Sequence, residues 1–230
     1  MERYQAGVRP FAEPAESAND ILWTTYRWMS LGLALTGLVA WAVSSSPAAL
    51  ELVVQNRLVF YGLIFGQLGL VLAFSAVAPR VSSLAAAAMF FAYAALTGLT
   101  FSVLFLVYTS SSIALTFFVT SGTFAGLSIF GATTKRDLSA IGRFALFALI
   151  GLIIASVANI FLASSLLQWI TTFAGIVIFA ALTAYDTQKL KELYASAGAG
   201  GNLALRGALV LYLDFINMFV FLLQLFGRRK

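Results

Sequence analysis

Asp186 and Asp214 are the two residues in this 230-residue chain whose type and surroundings most clearly call for chemistry. The first sits in Phe179-Ala-Ala-Leu-Thr-Ala-Tyr-Asp-Thr-Gln-Lys189, the second in Leu209-Val-Leu-Tyr-Leu-Asp-Phe-Ile-Asn-Met-Phe219, and both runs are otherwise mostly apolar. A carboxylate near the middle of a membrane helix costs about 3 kcal/mol on insertion scales. Each acid therefore needs a partner, and the nearest candidate is the other. Two carboxyls at hydrogen-bond distance cannot both ionise cheaply, so they share a proton and titrate as one unit. Loss of that proton leaves either repulsion between two helices or an oxygen site suited to a hard cation such as Ca²⁺. Proton and transient Ca²⁺ are expected to compete for one place, with Asp186 and Asp214 as the sensing and cation-binding pair. Histidine and cysteine are absent. That removes Ser-His catalysis, His-Glu-x-x-His zinc sites, imidazole pH sensing, disulfides and thiolate metal sites.

The elements that must hold these acids are membrane helices. The chain is 61% hydrophobic and 10% charged, with a mean hydropathy of +0.94, whereas soluble domains average about 25% charged residues. Residues 1–20 read as a polar tail without the basic-then-apolar order of a signal peptide, and 21–230 as one membrane domain. Asn19 or Asp20 is expected to cap the first helix. Apolar runs predict seven spans, at about 21–43, 58–77, 83–107, 113–133, 141–162, 166–188 and 203–226, each near the roughly 20 residues that cross a bilayer core. Ser44 to Pro47 reads as a turn, and the glycines of Ser196-Ala-Gly-Ala-Gly-Gly-Asn202 as a loop. In lipid the backbone must satisfy itself, so the spans are helices. The pairs Gly62/Gly66 and Gly122/Gly126 are expected to serve close helix packing.

Basic residues orient the chain. If all seven segments cross, one side carries Arg3, Arg9, Arg27, Arg80, Lys135, Arg136, Arg143, Lys189, Lys191 and Arg206, and the other Arg57 with Arg228, Arg229 and Lys230. The excess puts the N-terminus in the cytoplasm. The basic C-terminus then requires the last helix either to cross despite its tail or to re-enter, and its apolar length favours crossing. The net charge of +5 is spread beside apolar spans, which argues for lipid anchoring and against nucleic acid.

On the last helix Gly207, Asp214, Asn217, Phe221 and Gln224 share one face, and on the sixth Thr172, Gly175, Phe179, Thr183 and Asp186 do the same. Such polar stripes face protein or water inside a bundle. Tyr185, Tyr212 and Asn217 are candidate supporting groups, and Arg80 a candidate latch for Asp186. With the sixth span ending at Gln188, Asp186 is expected at the membrane surface and Asp214 deeper, so one must be displaced for them to meet.

Ala184-Tyr-Asp-Thr-Gln-Lys189 followed by Leu211-Tyr-Leu-Asp-Phe-Ile-Asn217 resembles the closing signature of the Bax inhibitor-1 family, the transmembrane Bax-inhibitor-motif proteins, in its bacterial branch. Leu96-Thr-Gly-Leu-Thr100 and Phe124-Ala-Gly-Leu-Ser128 running on to Thr134-Lys-Arg-Asp-Leu-Ser139 agree with it, and the similarity covers about Trp23 to Gly227. The resemblance implies an all-α membrane protein of seven helices, as two three-helix layers around a central C-terminal helix. It implies a pH-sensitive Ca²⁺ leak with Asp186 and Asp214 as the proton-sensing pair, Ca²⁺ as transported ion and no resident cofactor. It also implies a bacterial inner (cytoplasmic) membrane location. An arginine ending the second helix can pair with the first aspartate in the family, and Arg80 is the match. Some relatives carry an acid in the second helix where this chain reads Phe65-Gly-Gln-Leu-Gly69.

Two rival readings fail on residues. An intramembrane diaspartyl protease needs Gly-x-Gly-Asp, where this chain has Leu211-Tyr-Leu-Asp214, and a retinal protein needs a lysine between Leu203 and Phe226. The chain is therefore expected not to be an enzyme. The alternative to a channel is a non-conducting regulator that binds and restrains a membrane-bound ATP-dependent protease, as one bacterial relative does. Deprotonation of the pair either opens the bundle by repulsion or lets an arginine latch it shut.

Overall fold

A computed structural model describes residues 17–197 and 202–230, and the polar tail to residue 16 lies outside them. Among the described residues the regular elements are helices: α1 (Ala18–Ser44), α2 (Pro47–Gln55), α3 (Arg57–Val77), α4 (Ser83–Phe101), α5 (Leu104–Val107), α6 (Ser110–Thr133), α7 (Ser139–Leu162), α8 (Ser165–Ala197) and α9 (Leu203–Phe226). Six of the spans expected from apolar length are present, with α4 and α5 together making one, and α1 with α2 supplies the seventh. Side-chain caps set the starts of α1, α2, α3, α4 and α6. Ser17, not Asn19 or Asp20, caps α1: its hydroxyl accepts from the Asp20 N–H at 3.2 Å while the Asp20 carboxylate accepts from the Ser17 N–H at 3.1 Å. This reciprocal box satisfies two amides that would otherwise be orphaned.

Beyond the turn at Ser45 the chain does not run loosely to α3. Ser46 caps α2 ahead of Pro47 at its first position, where a missing N–H costs nothing. The nine residues of α2 are bent 100° from α1 and rise only about 14 Å, too short to cross.

α4 packs between α1 and α3, α8 packs between α6 and α7, and α9 touches α1, α4, α6 and α8. The arrangement is two layers around a central helix. α9 is correspondingly the most buried span, with Leu211, Tyr212, Met218 and Leu223 almost wholly enclosed. Without a hydrophobic drive between helices in lipid, close approach matters most, and the glycines that allow it are not the two Gly-x-x-x-Gly pairs. Gly62, Gly122 and Gly126 face open space, and Gly66 meets only Leu96 at 4.0 Å. Tight contacts between helices include Gly131 against the Ala184 carbonyl, Gly142 against the Tyr185 ring, Gly98 against the Thr36 carbonyl and Gly175 against the Phe221 ring.

The loops sort into two ends. Asn202 Nδ2 donates to the carbonyls of Ala78 and Val81 at 2.8 and 2.9 Å, joining the α8–α9 and α3–α4 turns. Gln188 accepts from the Leu138 N–H and donates to the Arg136 carbonyl, both at 2.9 Å, which brings the α6–α7 loop to the same end. At the opposite end the C-terminus docks on the α5–α6 turn: the Thr109 N–H donates to the Arg228 carbonyl at 3.1 Å and the Lys230 N–H to the Val107 carbonyl at 2.9 Å. The last helix therefore crosses.

Candidate functional site

The seam between α8 and α9 is where the expected acids meet. α8 does not stop at Gln188 but runs 33 residues to Ala197, about 50 Å at 1.5 Å per residue. Asp186 thus lies eleven residues before the end of α8, and Asp214 lies eleven residues after the start of α9. In an antiparallel hairpin equal distances from the turn mean equal depth. The depth mismatch expected from the sequence disappears, because the polar Lys189–Glu192 segment that looked like a loop is helix.

Side-chain contacts fix the register along the seam. The Tyr194 hydroxyl meets Gly207, Phe221 lies on Gly175 and stacks with Phe179 at 6.0 Å between ring centroids, and the Thr172 hydroxyl donates to Gln224 Oε1 at 3.2 Å. Between the first and second of these contacts the Asp186 and Asp214 carboxyls come within side-chain hydrogen-bonding reach of each other. Residues 172, 179 and 186 on one helix and 207, 214 and 221 on the other repeat every seven positions, the period that keeps one face on a neighbouring helix over several turns.

Asp214 is 5% exposed, and its Oδ2 is enclosed without a hydrogen-bond partner. Asp186 is half-buried and opens on a cavity of about 260 Å³ lined by Phe74, Ser75, Lys189, Leu190, Arg206 and Gly207, among others. A buried carboxylate oxygen with no partner loses the full value of its hydration. The arrangement can relieve that loss by holding a proton between the acids or by admitting a cation from the cavity. Groups of three or more His, Cys, Asp or Glu able to hold a metal are absent among the described residues.

The other expected site residues part company with the acids. Tyr212 is fully buried on the far face of α9, where its hydroxyl shares a 2.6 Å hydrogen bond with Thr36 and its ring packs edge-on against Phe90 and Tyr93. Tyr185 turns to α7, with Gly142 beneath its ring and Lys189 Nζ 5.4 Å above it. Asn217 Nδ2 donates to its own helix at Leu213. Arg80 is exposed and does not line the cavity of Asp186; the cations that do are Lys189 and Arg206. Arg206 was legible only as a charge near a span end, since its place on the cavity that Asp186 also lines depends on the α8–α9 register. A second buried oxygen, the Ser128 hydroxyl on α6, also has no partner. It lies one turn from Phe124, whose ring packs on Phe215 at 5.5 Å, and near Gly131, which abuts α8.

Comparison with known proteins agrees with the motif reading. A family model described as "Inhibitor of apoptosis-promoting Bax1" matches residues 18–230. The inner membrane protein YbhL of Escherichia coli K12 is 45% identical over 223 residues, covering 95% of both chains. An uncharacterized protein of Deinococcus radiodurans is 46% identical over 209 residues, with 89% of each chain covered. Another from Borreliella burgdorferi is 40% identical over 216 residues, covering 92% of this chain and 93% of its own.

Proposed function

The chain belongs to the Bax inhibitor-1 family of integral membrane proteins, and we propose that it is a pH-sensitive cation leak, Ca²⁺ preferred, controlled by Asp186 and Asp214. The observation that carries this reading is the unpartnered, enclosed Oδ2 of Asp214 beside the Asp186 carboxyl. Such a group is stable only while a proton or a cation attends it.

Lys189 and Arg206 share the Asp186 cavity, which suggests how the switch turns. With its proton lost, the pair is more negative and holds these two cations, closing the end of the seam they line. With the proton taken up, that hold weakens. Leak is therefore greater on the acid side, and the Arg206 guanidinium serves as the latch first assigned to Arg80. An Arg80 latch would require the α3–α4 turn to fold inward, away from its bonds to Asn202. No chemical step is assigned to the acids, so the protein is proposed not to be an enzyme. The basic end of the bundle, with Arg27, Arg80, Lys135, Arg136, Lys189, Lys191 and Arg206, is proposed to face the cytoplasm of an inner membrane.

Ca²⁺ entry into proteoliposomes of purified protein, measured across pH, tests the reading. Wild type is expected to show a several-fold change in flux over the titration range, while Asp186→Asn and Asp214→Asn each flatten it. Flux whose pH profile is unchanged in both variants would defeat the proposal. The non-conducting regulator of a membrane-bound protease remains the rival, favoured by the open glycine faces of α3 and α6. It predicts no flux at any pH.

A further inference from the structure

Two cavities open on the same α8–α9 seam, one at each end, the first mostly apolar with a few charged groups and the second mainly polar. The first, about 260 Å³, holds Asp186, Lys189 and Arg206; the second, about 290 Å³, is lined by Ser165, Gln168, Thr172, Gln224 and Arg229. Between the acids and the second cavity the seam is closely packed, with Leu182, Thr183, Met218 and Leu222 buried, and an aromatic stack stands midway along it. Phe221 lies on Gly175, where even a Cβ would overlap its ring at 2.6 Å, and it stacks with Phe179 at 27° between ring planes. Phe179 lies seven residues from both Asp186 and Thr172, so the stack sits about 10 Å from each.

We infer that the α8–α9 seam is the path along which water and cations approach the acid pair from the C-terminal end, and that the Phe179–Phe221 stack is its constriction. The inference rests on the leak reading and names the residues that would gate it. Rings in contact across a narrow seam exclude water, and hydrophobic constrictions of this kind gate by dewetting. Three features fit that role. The obstruction is carbon on both helices while the groups on either side of it are oxygen and nitrogen. Gly175 makes room for the Phe221 ring that a larger residue would displace. The amide and hydroxyl of Gln224 and Thr172 supply oxygens for a cation that has lost part of its shell, beside a single opposing charge at Arg229.

The chain has no cysteine, so one introduced thiol reports on the seam without background. Thr183→Cys places it between the stack and the acids. In proteoliposomes, a small charged methanethiosulfonate applied from the C-terminal side is expected to modify it slowly. Adding Phe221→Ala should raise that rate at least tenfold, whereas Phe221→Leu, which keeps most of the bulk, and Phe226→Ala, outside the seam, should leave it within about twofold. If Phe221→Ala destabilises the bundle, Phe179→Ala is the independent opening from the other helix, with thermal unfolding measured on both. Equal rates with and without the rings would overturn the constriction, whatever the flux. Faster modification in a protein that passes no Ca²⁺ would leave the constriction standing and remove the leak reading instead.

Discussion

Tyr212 and Asp214 are two positions apart and do different work. The Tyr212 hydroxyl closes a buried cluster in which Thr36 also donates within hydrogen-bond distance of the Gly32 and Ala94 carbonyls, at 3.0 and 2.9 Å. A neutral buried hydrogen bond of this kind contributes about 1 kcal/mol. Tyr212→Phe is therefore expected to lower the thermal midpoint in detergent by a few degrees and to leave the pH profile of flux where it is. Arg206→Gln should do the reverse, with little change in midpoint but a weaker closure at high pH. Were Tyr212→Phe to shift the pH profile as strongly as Asp214→Asn, the separation of these two faces of α9 would be wrong.

Helix by helix, the placement of glycine decides what packs. Gly131→Ala drives a methyl into the Ala184 backbone, which cannot move aside as a side chain can. Overpacking there should cost about 1–3 kcal/mol and weaken the α6–α8 contact that supports Asp186. Gly122→Ala, with nothing nearby, should be neutral or stabilising by up to about 1 kcal/mol through helix propensity. Unfolding the two variants side by side in detergent checks the contrast. The α6–α7 loop adds an acid-sensitive element. Asp137 accepts from the Ser139 N–H at 2.8 Å, and its pKa is lowered by hydrogen bonds to the Ser139 side chain and backbone, with Arg143 adding to them. A depressed folded value means the stabilisation is present above the unfolded pKa and lost as pH falls through the folded one. Asp137→Asn should therefore remove an acid-side loosening of this loop, visible by amide exchange, without touching the acid pair.

At the scale of the molecule, the layers and the central helix create a two-ended seam, and the two ends can be told apart by labelling. Of the ten basic residues expected on one side, the eight that are described, Arg27, Arg80, Lys135, Arg136, Arg143, Lys189, Lys191 and Arg206, lie toward one end, and the four expected on the other, Arg57, Arg228, Arg229 and Lys230, toward the opposite end, while Arg3 and Arg9 fall outside the described residues. Single cysteines introduced as Asp137→Cys and Lys230→Cys should react with an impermeant reagent from opposite faces of intact cells, with Lys230→Cys the one reached from outside. Labelling of both from one face would contradict the crossing of α9. Between the layers, Phe117, Phe124, Phe215 and Phe219 pack with rings 5.5–6.5 Å apart, and Phe117, Phe215 and Phe219 line a cavity of about 430 Å³ beside α9.

The membrane class, the helical spans and the family were all legible in the sequence. Apolar length and the expense of a carboxylate in hydrocarbon are local properties that each segment carries alone. The boundary of α8 was misjudged for the same reason: Lys189 to Glu192 reads as surface by composition, yet helix continues wherever hydrogen bonding does, whether or not lipid surrounds it. The depth of Asp186, the company of Arg206, the departure of Tyr185 and Tyr212 to other neighbours, and the ring stack on Gly175 depend on the register between two antiparallel helices. Register is set by which small residue meets which large one across the seam. That is a relation between distant residues, and only the folded molecule contains it.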